Sequence, residues 1–132
     1  MWGCCKDIIG DVDLVRNILT HAAMTAKANL VDIVCHQFSP YGVTGVAILA
    51  ESHISVHTWP EHEYAAADIF LCGKIINLQE AVLFISKAFM ARKTSTLQLE
   101  RGKCLPERLP GGIPEVCVNV ADCPSQAQDK DG

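Results

Sequence analysis

The chain has 132 residues with a formal net charge of −4, and 49% of its residues are hydrophobic, which suffices for one domain with one hydrophobic core. No apolar run approaches the roughly 20 residues of a membrane-spanning helix, no secretion signal is present, and the mildly acidic balance without a basic stripe argues against a nucleic-acid partner. The cysteines number 7 and form no C-x-x-C pair, so a reducing, cytoplasmic location is predicted, without a disulfide framework or a zinc cage.

The first part of the chain is predicted to form one helix followed by several strands. Apolar residues recur at helical spacing over 11–28, where Asp11 or Asp13 can cap the start. Runs rich in β-branched residues, separated by turn residues, predict four strands; these are 30–38, 43–50, 53–58 and 64–71. In the third strand, Ile54 and Val56 face one side of the sheet, and the polar side chains face the other; these are His53, Ser55 and His57.

The second part of the chain is predicted to add a helix and a last strand. Asn77 caps this helix, with Glu80 at the capping-box position, and the buried stripe is Leu78, Val82, Ile85 and Phe89. A strand is predicted over 95–100, after which prolines and glycines accumulate. The pattern predicts an α+β two-layer sandwich, with two helices on one face of a mostly antiparallel sheet. We expect a domain over 1–103 and a partly disordered tail over 104–132.

The connection between the second and third strands has unusual chemistry. Glu51-Ser52 suits a tight hairpin poorly, because such turns prefer Asn-Gly, Asp-Gly or a glycine at the positions that need a positive φ. Either the loop is longer than two residues or its backbone is strained. A serine after a strained peptide bond can attack the preceding carbonyl and form an ester, whose elimination and hydrolysis leave a pyruvoyl group. His57, Ser55 and Thr44 are nearby candidates to assist. From spacing alone, an ordinary loop is the simpler interpretation.

Purely structural interpretations also exist for the neighbouring residues. The polar side of the third strand is more typical of a solvated sheet face than of a functional site. A metal site is weakly indicated because no recognised ligand spacing is present; its members would be His53, His57, His62 and Cys72. Cys72 follows a strand, where its thiol lies either beside a site or buried as a structural group. Trp59 and Phe38 are typical core residues, and Cys35 alternates with apolar residues as a small hydrophobe does.

Several short motifs nevertheless follow one another in a specific order. They are F-S-P-Y-G-V-T-G-V at 38–46, A-E-S-H at 50–53, H-T-W-P-E at 57–61, Y-A-A at 64–66, Asp68, and C-G at 72–73. Together they closely resemble the bacterial and archaeal S-adenosylmethionine decarboxylase proenzymes, from residue 2 to Lys103. The central motif is long and ungapped, and the resemblance therefore favours a processing site at Glu51-Ser52.

The resemblance implies a role for each matching residue of the processing and catalytic machinery. Cleavage is expected between Glu51 and Ser52, and Ser52 is expected to become the pyruvoyl group that forms a Schiff base with the substrate amine. This group replaces pyridoxal phosphate as the electron sink, and no metal is implied. His57 matches the proton acceptor of processing, and Cys72 matches the proton donor of decarboxylation. Thr44 stands where the family often has a serine tied to processing, and its branched side chain is stiffer.

The resemblance also implies how substrate is bound and how chains assemble. Phe38 matches an aromatic residue that stacks on the adenine, Glu61 matches the acid that binds the ribose hydroxyls, and Trp2 is expected to be a second aromatic at the adenine. Aromatic faces also suit a sulfonium cation. The product is decarboxylated S-adenosylmethionine, the aminopropyl donor for spermidine synthesis. The family implies a homodimer whose sites take residues from both protomers, and its first strand is expected to be incomplete here.

Two alternatives remain open at this point. One is a pyruvoyl-dependent arginine or ornithine decarboxylase, against which Phe38 and Glu61 argue, because those substrates lack adenine and ribose. The other is an unprocessed, non-catalytic paralogue that regulates an active subunit. Thr44 and the incomplete first strand favour the paralogue, whereas the intact machinery opposes it; that machinery is Ser52, His57 and Cys72.

Overall fold

A computed structural model describes residues 1–72, 77–100 and 119–120. The helices of this part are α1 (Lys6–Ile9), α2 (Val12–Thr25) and α3 (Leu78–Ala88). The strands are β1 (Leu30–Gln37), β2 (Val43–Leu49), β3 (Ser52–Trp59) and β4 (Tyr64–Leu71), and Pro60–His62 forms a 3-10 turn between the last two. The two predicted helices and the four predicted strands between residues 30 and 71 are therefore confirmed with small shifts at their ends, and α1 was not predicted.

The four strands form one antiparallel sheet in the order β1-β2-β3-β4. Short connections dictate this order, because a two-residue link can only return the chain antiparallel to the strand it leaves. Side chains alternate across the sheet, and in β3 Ile54, Val56 and Thr58 are buried. The alternate positions form what we call the exposed face; on the two central strands they are Thr44, Val46, Ile48, His53, Ser55, His57 and Trp59. The predicted two-sided pattern of β3 is thus confirmed.

The hydrophobic core lies on the opposite side of the sheet, beneath α2 and α3. Its largest fully buried side chains are Phe89, Ile9, Leu19, Ile54, Ile85, Val15, Val43 and Val56. Cys35 packs against this cluster, and burial raises the pKa of its thiol, as expected of a thiol that behaves as a small hydrophobe. The predicted α+β arrangement, with two helices on one face of the sheet, is confirmed.

Local side-chain contacts fix where the helices begin. The Asp11 carboxylate accepts hydrogen bonds from the backbone N–H groups of Asp13 and Leu14, and the Asn77 side chain accepts from the N–H of Glu80. Both contacts satisfy donors that have no partner inside the helix. The first long helix ends earlier than predicted, and Lys27 has a φ of 58°, which a continuing helix cannot accommodate.

Thr58 is a buried polar residue that ties the sheet to the N-terminal segment. Its hydroxyl donates to the carbonyl of Ile9 at 2.7 Å and accepts from the N–H of Val43 at 2.8 Å. A buried hydroxyl that is paired in this way avoids the desolvation penalty of an unpaired group. Nearby, Gly42 has a φ of 99°, and a Cβ there would lie 2.8 Å from the Thr58 carbonyl oxygen, so the turn after β1 requires glycine.

The chain divides into two compact units, Met1–Thr94 and Ser95–Gly132. In the second unit, Leu99–Glu100 pairs antiparallel with Asn119–Val120. The strand predicted over 95–100 is therefore wrong for 95–98, because the described partner pairs with only its last two residues. The predicted boundary between residues 103 and 104, and the predicted disorder beyond it, lie outside the described residues. Within the described ranges, no helix is long and apolar enough to cross a membrane.

Candidate active site

The tip of the β2–β3 hairpin is strained at one residue. Leu49 and Ser52 are register partners, so only Ala50 and Glu51 connect the two strands. Ser52 has a φ of 144°, in a region that residues other than glycine rarely adopt and that costs about 1–3 kcal/mol. The sequence left a longer loop or a strained backbone as the two possibilities, and the structure confirms the strained backbone.

Both carboxylate oxygens of Glu51, the residue before Ser52, accept hydrogen bonds. Asn29 donates to Glu51 from its backbone N–H at 2.9 Å and from its side-chain Nδ2 at 2.6 Å. The Asn29 carbonyl in turn accepts from the N–H of Ala50 at 2.9 Å. The hydrogen bond from the Asn29 backbone lowers the pKa of the Glu51 carboxyl, because it favours the charged form. No pattern in the sequence indicates this contact, which spans 22 positions.

The backbone N–H of Cys72 contacts the carbonyl group of Glu51, in the peptide bond between Glu51 and Ser52. Its N–H donates to the Glu51 carbonyl oxygen at 3.2 Å, and this oxygen belongs to the peptide bond that precedes Ser52. An N–H aimed at a carbonyl oxygen stabilises negative charge that develops there during nucleophilic attack. Cys72 is exposed, so the alternative of a buried structural thiol is wrong. The structure places this residue beside Glu51-Ser52, next to the peptide bond where the chemistry is expected.

A chain of hydrogen bonds runs from the Ser52 hydroxyl to a carboxylate on β4. The Ser52 Oγ lies 3.2 Å from Nδ1 of His53, and Nε2 of His53 lies 3.0 Å from Oδ2 of Asp68. Both partners of the second contact are half-buried, with side-chain exposures of 35% and 46%. The strand register explains it, because Asp68 pairs with Ser55 and thus lies diagonally across from His53. The sequence predicts His53 on the polar face of β3, but the register that brings Asp68 to it is not visible in the sequence.

A second histidine lies farther along the same strand. The His57 Nδ1 is 2.9 Å from the Thr44 Oγ1, and the two residues are register partners on β3 and β2. The threonine hydroxyl is therefore within hydrogen-bonding distance of the imidazole. His57 lies five residues after Ser52, which at ~3.3 Å per residue places it about 16 Å away along the strand.

The three residues expected to bind substrate lie near this second histidine. Phe38 follows the end of β1, is 47% exposed, and packs edge-on against His36 with ring centroids 4.6 Å apart. Glu61 belongs to the turn after β3 and lines an open cleft of about 830 Å³. Trp2 forms isolated bridges to Tyr64 and Lys93 and is 45% exposed. The core alternative for Phe38 is therefore wrong, as it is for Trp59, which is 40% exposed.

The predicted site residues thus fall at two opposite ends of one sheet. The Ser52 end comprises Glu51, Ser52 and Cys72. The Phe38 end comprises Trp2, Phe38, Thr44, His57 and Glu61. Within one chain the structure brings together the scissile pair with Cys72, and separately Thr44 with His57, but it does not bring His57 to Ser52. The weakly indicated metal set does not assemble, since no three metal-ligating side chains converge anywhere in the described residues.

Comparisons with known proteins agree on one family. Residues 1–102 match the family model described as S-adenosylmethionine decarboxylase. The chain is 44% identical over 100 residues to the S-adenosylmethionine decarboxylase proenzyme of Acidithiobacillus ferrooxidans, covering 76% of this chain and 75% of that one. It is 41% identical over 102 residues to the proenzyme of the same name from Methanococcus maripaludis, covering 77% and 84%. The structure resembles the crystal structure of adenosylmethionine decarboxylase from Aquifex aeolicus with a TM-score of 0.64 and 34% identity, covering 70% and 77%.

Proposed function

Because the chain belongs to the S-adenosylmethionine decarboxylase family, we propose that it is a self-processing enzyme that decarboxylates S-adenosylmethionine and so supplies the aminopropyl donor for spermidine synthesis. The observation that carries the proposal is the strained peptide bond before Ser52, with the Cys72 N–H on its carbonyl oxygen. A hydrogen-bond donor on the carbonyl and a hydroxyl on the next residue are what an internal ester requires. We also propose a cytoplasmic location, in keeping with the odd cysteine count.

Processing at Glu51-Ser52 uses the groups around the hairpin tip together with His57, which a second copy of the chain supplies. The Ser52 hydroxyl attacks the Glu51 carbonyl while Asn29 holds the Glu51 side chain in place. His57, oriented by the hydroxyl of Thr44, accepts the proton whose removal eliminates the ester. The elimination releases the Glu51 carboxylate as the end of a β chain and leaves a dehydroalanine at the start of an α chain. Addition of water to this residue then releases its nitrogen as ammonia and leaves the pyruvoyl group at the former Ser52.

The residues present fit a pyruvoyl group at position 52. Such a group supplies a ketone that binds the substrate amine and accepts the electron pair released with CO₂. The exposed Cys72 thiol lies next to this position and returns a proton to the α-carbon. A Cys72→Ala chain is therefore expected to process but to lose at least about 100-fold in CO₂ release from S-adenosylmethionine. Cys35→Ala, at a thiol packed on the core, is the matched control.

Substrate recognition takes place at the Phe38 end. The exposed ring of Phe38 stacks on the adenine, with Trp2 as a second aromatic face, and the Glu61 carboxylate accepts hydrogen bonds from the ribose hydroxyls. The cleft beside Glu61 carries further carboxylates, Asp7, Asp11 and Asp13. Their negative field favours a cationic substrate such as a sulfonium.

A second copy of the chain completes each site. Phe38, His57 and Glu61 lie at one end of the sheet and Ser52 at the other, about 16 Å apart along β3. Two exposed faces packed against each other in antiparallel fashion bring the Phe38 end of one protomer to the Ser52 end of its partner. The same contact covers apolar side chains of that face, such as Val34 and Ile48, which are 56% and 42% exposed.

Denaturing mass spectrometry of the purified chain tests the processing itself. We expect two fragments divided between Glu51 and Ser52, with the larger one lacking a free amine. One intact mass would instead favour the unprocessed regulatory paralogue. CO₂ release, compared side by side for S-adenosylmethionine, arginine and ornithine, then tests the substrate, and release from arginine or ornithine alone would contradict the proposed substrate.

Mixing two inactive chains tests the shared site. Ser52→Ala and His57→Ala are each expected to remain intact as homodimers. After unfolding and refolding together, the His57→Ala chain is expected to split, because its Ser52 meets the intact His57 of the partner chain. Failure of the mixture to split, although both chains dimerise by sedimentation, would contradict a site built from two copies.

A further inference from the structure

We propose that His53 is the base that activates the Ser52 hydroxyl for the first step of processing, and that Asp68 positions His53 for this role. The inference deepens the proposed function and rests on it, because it assigns a separate base to ester formation. His57 then serves the later elimination. The proposal stands on the hydrogen-bonded series of Ser52, His53 and Asp68.

The geometry joins the hydroxyl to the imidazole through one specific nitrogen. In a regular strand, adjacent side chains point to opposite faces and do not meet. Ser52 departs from regular geometry, with a φ of 144°, and its Oγ lies 3.2 Å from the Nδ1 of the next residue. The strain at the scissile bond thus accompanies a contact that a regular strand would not make.

The carboxylate of Asp68 selects the tautomer that can act as a base. It is an acceptor 3.0 Å from the His53 Nε2, so a neutral His53 carries its proton on Nε2 and donates it to Asp68. That leaves the lone pair of Nδ1 facing the Ser52 hydroxyl. A carboxylate, a histidine and a serine connected in this order are the arrangement that activates hydroxyl nucleophiles in unrelated hydrolases.

The reaction balances with these groups alone. The Ser52 Oγ forms a bond to the Glu51 carbonyl carbon as its proton moves to Nδ1 of His53. The Cys72 N–H stabilises the oxyanion that forms. The C–N bond then breaks, the proton on His53 passes to the departing nitrogen of Ser52, and an ester replaces the amide with His53 returned to its neutral form.

The two register partners of His53 carry no group that could compete with it as a base. Its register partner on β2 is Ile48 and its register partner on β4 is Phe70, whose ring centroid lies 5.9 Å from the imidazole. His57 of the same chain is about 16 Å from Ser52 along β3, so it is not available for the first step within one protomer.

The test follows ester formation and chain cleavage separately in freshly translated protein. Hydroxylamine cleaves esters and leaves amides intact, so it splits any chain that has reached the ester. For His57→Ala we expect an ester that hydroxylamine cleaves, because only elimination is blocked. For His53→Gln we expect cleavage to slow by at least about 100-fold, with hydroxylamine giving no acceleration. His21→Gln should match the wild type, because His21 is an exposed residue of α2 that contacts the Asn17 carbonyl of its own helix and the ring of Phe84 on α3.

Two further measurements keep the proposal testable if a variant folds poorly. Imidazole added to His53→Ala should restore part of the lost rate. In the uncleavable Ser52→Ala chain, nitrogen NMR of His53 should show the proton on Nε2, and Asp68→Asn should shift this signal and slow processing in an otherwise wild-type chain. Asp32→Asn, at an exposed carboxylate of β1, is the matched control.

The results of these experiments separate a failure of the role proposed for His53 from a failure of the proposed processing itself. The inference is overturned if the wild type splits and His53→Gln splits within about threefold of its rate, or if His53→Gln accumulates an ester that hydroxylamine cleaves. It is also overturned if the neutral His53 carries its proton on Nδ1. A wild-type chain that never splits overturns the proposed function and this inference with it, so the two failures are distinguishable.

Discussion

Replacing Ser52 by glycine or by alanine measures the backbone strain at the proposed scissile bond. Both variants lack the hydroxyl and stay intact, so they differ only in backbone freedom and one methyl group. Glycine adopts a φ of 144° freely, which relieves about 1–3 kcal/mol of strain. The greater freedom of glycine in the unfolded chain costs about 0.5–1 kcal/mol. We therefore expect Ser52→Gly to be more stable than Ser52→Ala by about 1 kcal/mol.

Urea unfolding of the two variants at one protein concentration provides the comparison, because dimerisation makes apparent stability depend on concentration. The expected difference raises the melting temperature of Ser52→Gly by about 4–8 °C in a domain of this size. Ser55 provides the control, since it lies three residues along in β3 without a positive φ. There glycine should be less stable than alanine by about 0.5–1 kcal/mol. If glycine were less stable than alanine at position 52 as well as at position 55, the argument that Ser52 is strained would be refuted.

Three other substitutions test separate contacts. Thr44→Val removes the hydroxyl that orients His57 and should slow processing about tenfold, as seen by the fraction of split chain over time, whereas Thr44→Ser should keep the wild-type rate. Thr58→Val leaves two buried backbone groups without their partner and should lower the free energy of unfolding by about 2 kcal/mol in urea; no loss would contradict the hydrogen bonds assigned to it. The pKa of Glu51 is lowered from its ordinary 4.5 by Asn29, so its stabilisation is present above pH 4.5 and is lost as the pH falls through the lowered folded pKa. Asn29→Ala removes the side-chain donor but keeps the backbone N–H, which is the larger cause. It should therefore reduce only part of the loss of stability on acidification that calorimetry measures, and an unchanged acid dependence would count against the side-chain contact.

The fold was largely predictable because its signals are local. The alternation of Ile54 and Val56 with polar residues determines which side of β3 is buried, and Asn77 marks the start of α3 through its own side chain. The short helix α1 escaped prediction because four residues give no periodicity to detect. The strand over 95–100 was over-predicted for the converse reason, since local alternation indicates a strand but does not provide a partner for it.

The candidate site was predictable only in part, because half of its geometry depends on long-range pairing. The family motifs point to Ser52, Cys72 and His57 as individual residues. The contact between His53 and Asp68 spans 15 positions, and the contact of Asn29 with Glu51 depends on how β1 returns to the hairpin. Neither is implied by composition or spacing, because a shift of one residue in register would turn the partner to the opposite face.

The position of the proposed scissile bond explains how the fold can survive cleavage there. The break would fall where Glu51 meets Ser52, at the tip of a hairpin, so it opens a two-residue connection and alters only the register pairs of Ser52 itself, which loses its nitrogen. The other five register pairs of β2 with β3 and the other seven of β3 with β4 are kept, and the core beneath them is unaffected. Because the hydrogen bonds of each strand are made with its neighbours in the sheet, the two fragments remain one folded unit without a covalent link. Cleavage would relieve the strain at Ser52, because this residue becomes a free chain end. This end lies beside Cys72, where the catalytic chemistry is proposed to occur.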